Sequence, residues 1–319
     1  MRKHANPAIA GQPSCSSSDH TATRPCIQFS IGGWILAALI LVGCGNEPKT
    51  PDANPTTAIA KSETRQTKQP IQPAAAAPKG NGQLRIAAAS DLKFALDEVR
   101  GAFERLHPGA AVTVTYGSSG SFFAQLVHEA PFDLFLSADI DDARRLVEQE
   151  QGAPHSDFAY ARGHIVIWIP NDSPYRVEQT GFEFLHAGDV QKIAIANPKT
   201  APYGRAAVAA LKSLGVYEAV EPKLVYGESV AQAAQMVESG AADVGIIALS
   251  MAVSPAMRDQ GRYWQVPDGV HPPLVQGGVV LRWAQDAALA GEFRDFLLSG
   301  AGTSILMQFG FDEALKTSN

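Results

Sequence analysis

Leu84-Arg85-Ile86-Ala87-Ala88-Ala89-Ser90-Asp91-Leu92 sets the pattern that the rest of the chain repeats. The first six residues form an apolar run interrupted only by Arg85. It is too short for a helix and has the length of a buried strand. From Leu92 the spacing changes. Leu92, Ala95, Leu96, Val99, Phe103 and Leu106 recur every three or four residues, the period of an amphipathic helix. Ser90 stands where a helix takes its N-cap, Asp91 and Glu98 place acid toward the amino end, and Pro108-Gly109 stops the helix.

The same strand–turn–helix unit recurs downstream. Val112 to Tyr116 reads as a strand, the small-residue turn Gly117-Ser118-Ser119-Gly120-Ser121 follows, and Phe122, Phe123, Leu126 and Val127 mark a helix. Phe132 to Leu136 is a third strand, with a helix from Ile140. Further strands are expected at His164 to Ile169, Lys192 to Ala196, Lys223 to Tyr226, Asp243 to Ile247 and Val275 to Leu281. Helices are expected from Arg205, from Ser229 to Val237, from Ala284 to Leu298 and from Ala301 to Phe309. Such alternation predicts an α/β fold with mainly parallel sheets covered by helices on both faces. The body is longer than one such sheet usually needs, so two lobes are expected. Crossovers near 161–164 and 263–276 divide it into a discontinuous lobe 1, residues 84–162 plus 265–319, and a lobe 2, residues 163–264.

The region before Leu84 is different in kind. Arg2, Lys3 and Arg24 precede an apolar run from Ile31 to Val42. About a dozen residues are too few to span a bilayer but suit the core of a signal peptide. The run ends Leu41-Val42-Gly43-Cys44, which resembles the processing box of bacterial lipoproteins. The resemblance implies a signal peptide over residues 1–43, cleavage before Cys44 and acylation of its sulfur. Residues 44–83 then read as a disordered tether, rich in proline and without apolar periodicity.

Charge and cysteine content narrow the function. The net charge is −6, yet the 83 residues before Leu84 hold 8 of the 26 Lys+Arg and only 4 of the 32 Asp+Glu. The body is therefore strongly acidic, which argues against nucleic-acid binding. Cys15, Cys26 and Cys44 all precede it, so it can build neither a disulfide framework nor a cysteine metal site. The eight histidines are scattered, and none pair at i, i+4 as on a zinc helix. No site for a free metal cation and no cofactor is expected.

In open α/β sheets ligands gather at the carboxyl ends of strands, where helix starts present unpaired N–H groups and a partial positive charge. Four junctions here carry small or hydroxylic residues: Ala89-Ser90-Asp91, Gly117 to Ser121, Pro202-Tyr203-Gly204 and Glu228-Ser229-Val230. Together they describe a site that could take an anion without a cationic side chain. Singly each has an ordinary reading: Ser90 as a cap, the Gly/Ser turn as a loop, Tyr203 as packing. Asp91 and Glu228 would be acceptors in a site of donors, so both are expected to point outward. Lys199 and Arg205 are either counter-charges or solvated surface cations.

These motifs, as a set, resemble the periplasmic molybdate-binding proteins of molybdate ABC transporters. The resemblance lies in Ala87 to Leu92, Tyr116 to Gly120, Asp133 to Asp139, Asn197 to Gly204, Val244 to Ile247 and Phe309 to Phe311, in the family's order. It implies a type II periplasmic-binding-protein fold, two lobes on a two-stranded hinge. It also implies a monomer that captures molybdate or tungstate and passes it to an ABC permease of the inner membrane. Motif by motif it assigns ligand contacts to Ser90, Ser119, Tyr203 and Val230, with Asp91, Ser118 and Lys199 as secondary candidates. Some family members carry a tyrosine donor where this chain has Ala248, a place Tyr203 would have to fill.

Three rivals follow from the same residues. One is a binding protein for sulfate, thiosulfate or phosphate; an inward Asp91 would favour phosphate, which keeps a proton for it. Another is an exported hydrolase using Ser90 or Ser119, although neither lies in a G-x-S-x-G elbow. The last is an adhesion or sensory ectodomain using the lobes as a scaffold.

Overall fold

A computed structural model describes residues 82–314. The expected signal peptide, Cys44 and nearly all of the tether lie outside the described residues.

Strand β1 (Gln83–Ala89) leads through a 3-10 turn at Ser90–Leu92 into α1 (Lys93–Leu106). Then come β2 (Ala111–Gly117), α2 (Ser119–Leu126), β3 (Leu134–Ser137), α3 (Ile140–Glu148) and β4 (Phe158–Gly163). The chain next enters a second sheet with β5 (Ile165–Pro170), α4 (Val177–Thr180), β6 (Ile193–Ala196), α5 (Pro202–Ser213) and α6 (Tyr217–Val220). That sheet is finished by β7 (Leu224–Gly227), α7 (Val230–Glu238), β8 (Val244–Ala248), α8 (Leu249–Ala252) and β9 (Gly261–Gln265). The chain returns to the first sheet as β10 (Leu274–Val280), followed by α9 (Ala287–Leu298) and α10 (Gly300–Gln308).

The two sheets have the orders β2-β1-β3-β10-β4 and β7-β6-β8-β5-β9. Both are mixed. In the first, β2, β1 and β3 are parallel, while β10 runs antiparallel to both β3 and β4. In the second, β7, β6 and β8 are parallel and β5 is antiparallel to β8 and β9. The parallel strands are those joined by helical crossovers. The antiparallel ones carry the chain between lobes and must therefore reverse.

Burial explains why the strands are apolar throughout. Ile86, Ala88, Leu134 and Leu136 pack on one face of the first sheet against Leu96, Phe103, Phe293 and Leu297. Ala87, Phe135 and Val279 pack on the other against Phe122, Leu126 and Leu146. With period-2 alternation, a sheet covered on both faces needs apolar residues at every position. Arg85 is tolerated because its guanidinium makes a bidentate pair with the buried Asp133, at 3.0 and 2.9 Å.

The chain passes between the sheets at His164 and again between Gln265 and Leu274. Side chains from both crossings meet the end of the chain there. Asp312 accepts from Arg162 at 2.7 Å and lies 2.9 Å from His164 Nε2, and Asp268 lies 3.2 Å from Arg162.

Candidate functional site

The carboxyl ends of the parallel strands in both lobes face one another. Ala89 is in register with Gly117, so the turns beginning at Ser90 and Ser118 are neighbours. Ala196 is in register with Gly227, which places the loop after Asn197 beside Glu228-Ser229. Ser90, Asp91, Ser118, Ser119, Tyr203 and Val230 are all buried where these ends meet. An open cleft of about 820 Å³ adjoins them, lined by Lys93, Tyr116, Ser118, Glu228, Ser229 and Met251 among others.

Direct bonds join the lobes around these residues. The amide of Ala231, in the first turn of α7, donates to Ser90 Oγ at 3.3 Å. Thr200 O accepts from Ser118 Oγ at 2.6 Å and from the Gly120 amide at 2.8 Å. A Cβ on Gly120 would stand 2.6 Å from that carbonyl, so the approach requires glycine. Arg205 pairs with Asp139 at 2.7 Å and is thereby committed to the opposite lobe.

Two buried hydroxyls at these junctions keep their protons. Ser90 does not cap a helix: it sits inside the 3-10 turn, whose N-cap position is Ala89, and its Oγ accepts an amide from the other lobe. Ser119 Oγ accepts the Ala138 amide at 3.0 Å. Each hydroxyl has its acceptor role filled and its own proton unused within the described residues, at 4% and 1% exposure. By contrast Ser118 and Ser250 spend their protons on Thr200 O and Asp91 O. The nearby helices α2 and α5 begin without any side-chain cap, although the Gly120 amide of α2 is spent on Thr200 O. Elsewhere Asp139, Ser229, Asp286 and Ser299 cap their helices in the ordinary way.

The remaining candidates separate. Val230 is the first residue of α7, buried beside the Ala231 amide. Lys199 is exposed, and its ammonium makes no hydrogen bond or ion pair among the described residues. Tyr203 is buried, but its phenol reaches the hinge strand: a Cβ on Gly163 would meet the hydroxyl at 2.2 Å, and Gln276 Nε2 donates to it at 3.3 Å. Burial and the neighbouring Asp91 push the Tyr203 phenol well above its usual range. Its hydroxyl is thus committed to a buried network, while its backbone stands at the start of α5.

Asp91 corrects the expectation that it points outward. It is 1% exposed, and Oδ2 accepts from Gln276 Nε2 at 2.8 Å. Burial pushes its carboxyl up to about 6, against the opposing hydrogen bonds of Tyr203 and Gln276. Glu228 does face solvent. The Tyr160 hydroxyl completes the network, 3.0 Å from both Gln276 Oε1 and Ser137 O. Gln276, Thr200 and Ala231 were not anticipated. The signal for Gln276 was available: a single amide inside the apolar run Leu274–Val280, fully buried, demands polar partners.

A two-lobed α/β protein whose helix starts and spare hydroxyls converge between the lobes is by class a solute-binding protein. The chain belongs to the family of bacterial extracellular solute-binding proteins, whose pattern it matches over residues 84–312. It is 36% identical to the molybdate-binding protein ModA of Rhodobacter capsulatus, over 74% of this chain and 90% of that protein. It is 34% identical to ModA of Azotobacter vinelandii, over 72% of this chain and 89% of that protein. The solved periplasmic molybdate-binding protein of Azotobacter vinelandii superposes with a TM-score of 0.66 and 31% identity, covering 72% of this chain and 98% of that one. The sulfate-binding protein SubI of Mycobacterium tuberculosis shares the fold at a TM-score of 0.61 and 17% identity.

Proposed function

We propose that this protein binds molybdate between its lobes and delivers it to an ABC importer. One observation carries the reading: two buried serine hydroxyls, Ser90 and Ser119, have protons to give and no acceptor within the described residues. A tetrahedral dianion is all acceptor and would take both. The amides of Ser119, Tyr203 and Val230, at the starts of α2, α5 and α7, supply further donors, and the helix dipoles favour negative charge. Hydrogen bonds to a charged group contribute about 1.5–3 kcal/mol each, so a few neutral donors suffice. The relatives named above, two of them molybdate-binding proteins at 34–36% identity, support the choice of ion.

Of the secondary candidates, Ser118 serves the contact between lobes and Lys199 remains a surface cation. Tyr203 contributes its backbone, with the phenol committed elsewhere. Tungstate, nearly the same size, should bind alike; sulfate is smaller and should be held loosely. The chain acts in the periplasm, held by a lipid on Cys44, with residues 44–83 as its leash. Calorimetry with molybdate, tungstate, sulfate and phosphate tests the ligand. Equal affinity for sulfate would remove the molybdate assignment. Metabolic labelling with a fatty acid, lost in Cys44→Ala, tests the anchor.

A further inference from the structure

Asp91 is out of place in a pocket of donors. It shares a turn with Ser90, is 1% exposed, and its Oδ1 has no hydrogen-bond partner within the described residues. The groups facing it come from several elements: Gln276 of β10, Tyr203 of α5, Tyr160 of β4 and the amides of its own turn. Ser250 of α8 bonds the Asp91 carbonyl. None of these is a cation. An oxyanion held by Ser90 would stand within one residue of this carboxylate, out of water, where like charges repel strongly. A proton on one of the two relieves that repulsion. Molybdate carries none near neutral pH.

We propose that Asp91 takes up one proton from solvent as the oxyanion enters and turns it toward the ion, so that the carboxyl joins the site as a donor. The proposal rests on the oxyanion reading above. Gln276 occupies Oδ2, which leaves Oδ1 to hold the proton, and a neutral carboxyl donates one hydrogen bond. Burial already pushes this carboxyl up to about 6, and a neighbouring dianion pushes the same way. At pH 7.5 the proton must therefore come in with the ligand. Binding then weakens as pH rises.

The test is calorimetric titration of molybdate into the full-length chain at pH 7.5, in buffers of different ionisation enthalpy. The expected result is uptake of about one proton per ion, with Kd rising about tenfold per pH unit from 7 to 8.5. In Asp91→Asn the uptake falls to zero and the pH slope disappears. Molybdate binding by the parent without proton uptake overturns the proposal and leaves the oxyanion reading intact. Uptake that persists in Asp91→Asn assigns the proton to another group and overturns it too. A parent that takes phosphate but no molybdate overturns both.

Discussion

At the scale of single residues, the difference between a serine that caps, one that latches and one that binds is where its proton goes. Ser118 spends its proton on Thr200 O, whereas Ser90 and Ser119 retain theirs. Ser90→Ala and Ser119→Ala should each weaken molybdate binding by about 1.5–3 kcal/mol, roughly 10- to 150-fold, by calorimetry on variants with parental circular dichroism. Asp91 leads to a stability prediction of definite sign. Its folded value, about 6, lies above the ordinary carboxylate value of 3.8. The folded state therefore favours the protonated form. The stability that goes with it is full below about 4 and is lost as pH rises to about 6, an effect of order 3 kcal/mol. Asp91→Asn should thus raise the urea midpoint at pH 7.5, and the gap should close near pH 4. The serines were legible because hydroxyls at helix starts form a pattern. The inward turn of Asp91 was not, since it depends on Gln276 and Tyr203, which lie 185 and 112 positions away by residue number.

At the scale of elements, legibility followed apolar and β-branched content. Strands β1, β3, β6 and β8 are covered on both faces and announce themselves as apolar runs. Strands β4 and β9 went unread. Each is an edge strand, and their sequences, Phe158–Gly163 and Gly261–Gln265, mix polar and aromatic residues at half-buried positions. The edge strands β2 and β7 were read because β-branched residues mark them, a signal that β4 and β9 lack. The Arg85–Asp133 pair ties β1 to the start of β3. Asp133 is fully buried and also accepts the amides of Arg85 and Gln285. Although burial pushes its carboxyl up, Arg85 and these amides outweigh burial and hold it below the ordinary range. Its contribution is present above the ordinary carboxylate pKa and lost as pH falls through the depressed one. Asp133→Ala should cost about 3–5 kcal/mol at pH 7, by leaving donors unmatched, and should flatten the acid limb of the unfolding profile.

For the whole molecule, the two-lobed α/β fold was foreseeable from strand count and length. The mixed character of each sheet was not, because reversal belongs to the crossings rather than to any local pattern. Function at this scale is approach of one lobe to the other. A ligand that contacts both lobes shifts the population toward the closed form. Small-angle scattering should show a smaller radius of gyration with molybdate. In Gly120→Ala a methyl group would press on Thr200 O, so compaction should be lost and affinity reduced at least tenfold, with the unfolding midpoint of the free protein little changed.

The interleaved order of the sheets also sets the order in which an exported chain can complete them. Such a chain crosses the membrane from its amino end and folds on the far side, and compact units form as their parts emerge. The second sheet is contiguous, from β5 to β9, and has all its strands once Gln265 is out. The first sheet lacks its β10 strand, which lies between β3 and β4, until Val280 appears. The lobe begun first is therefore completed last. Until then β3 and β4 have exposed edges, open to pairing with another chain.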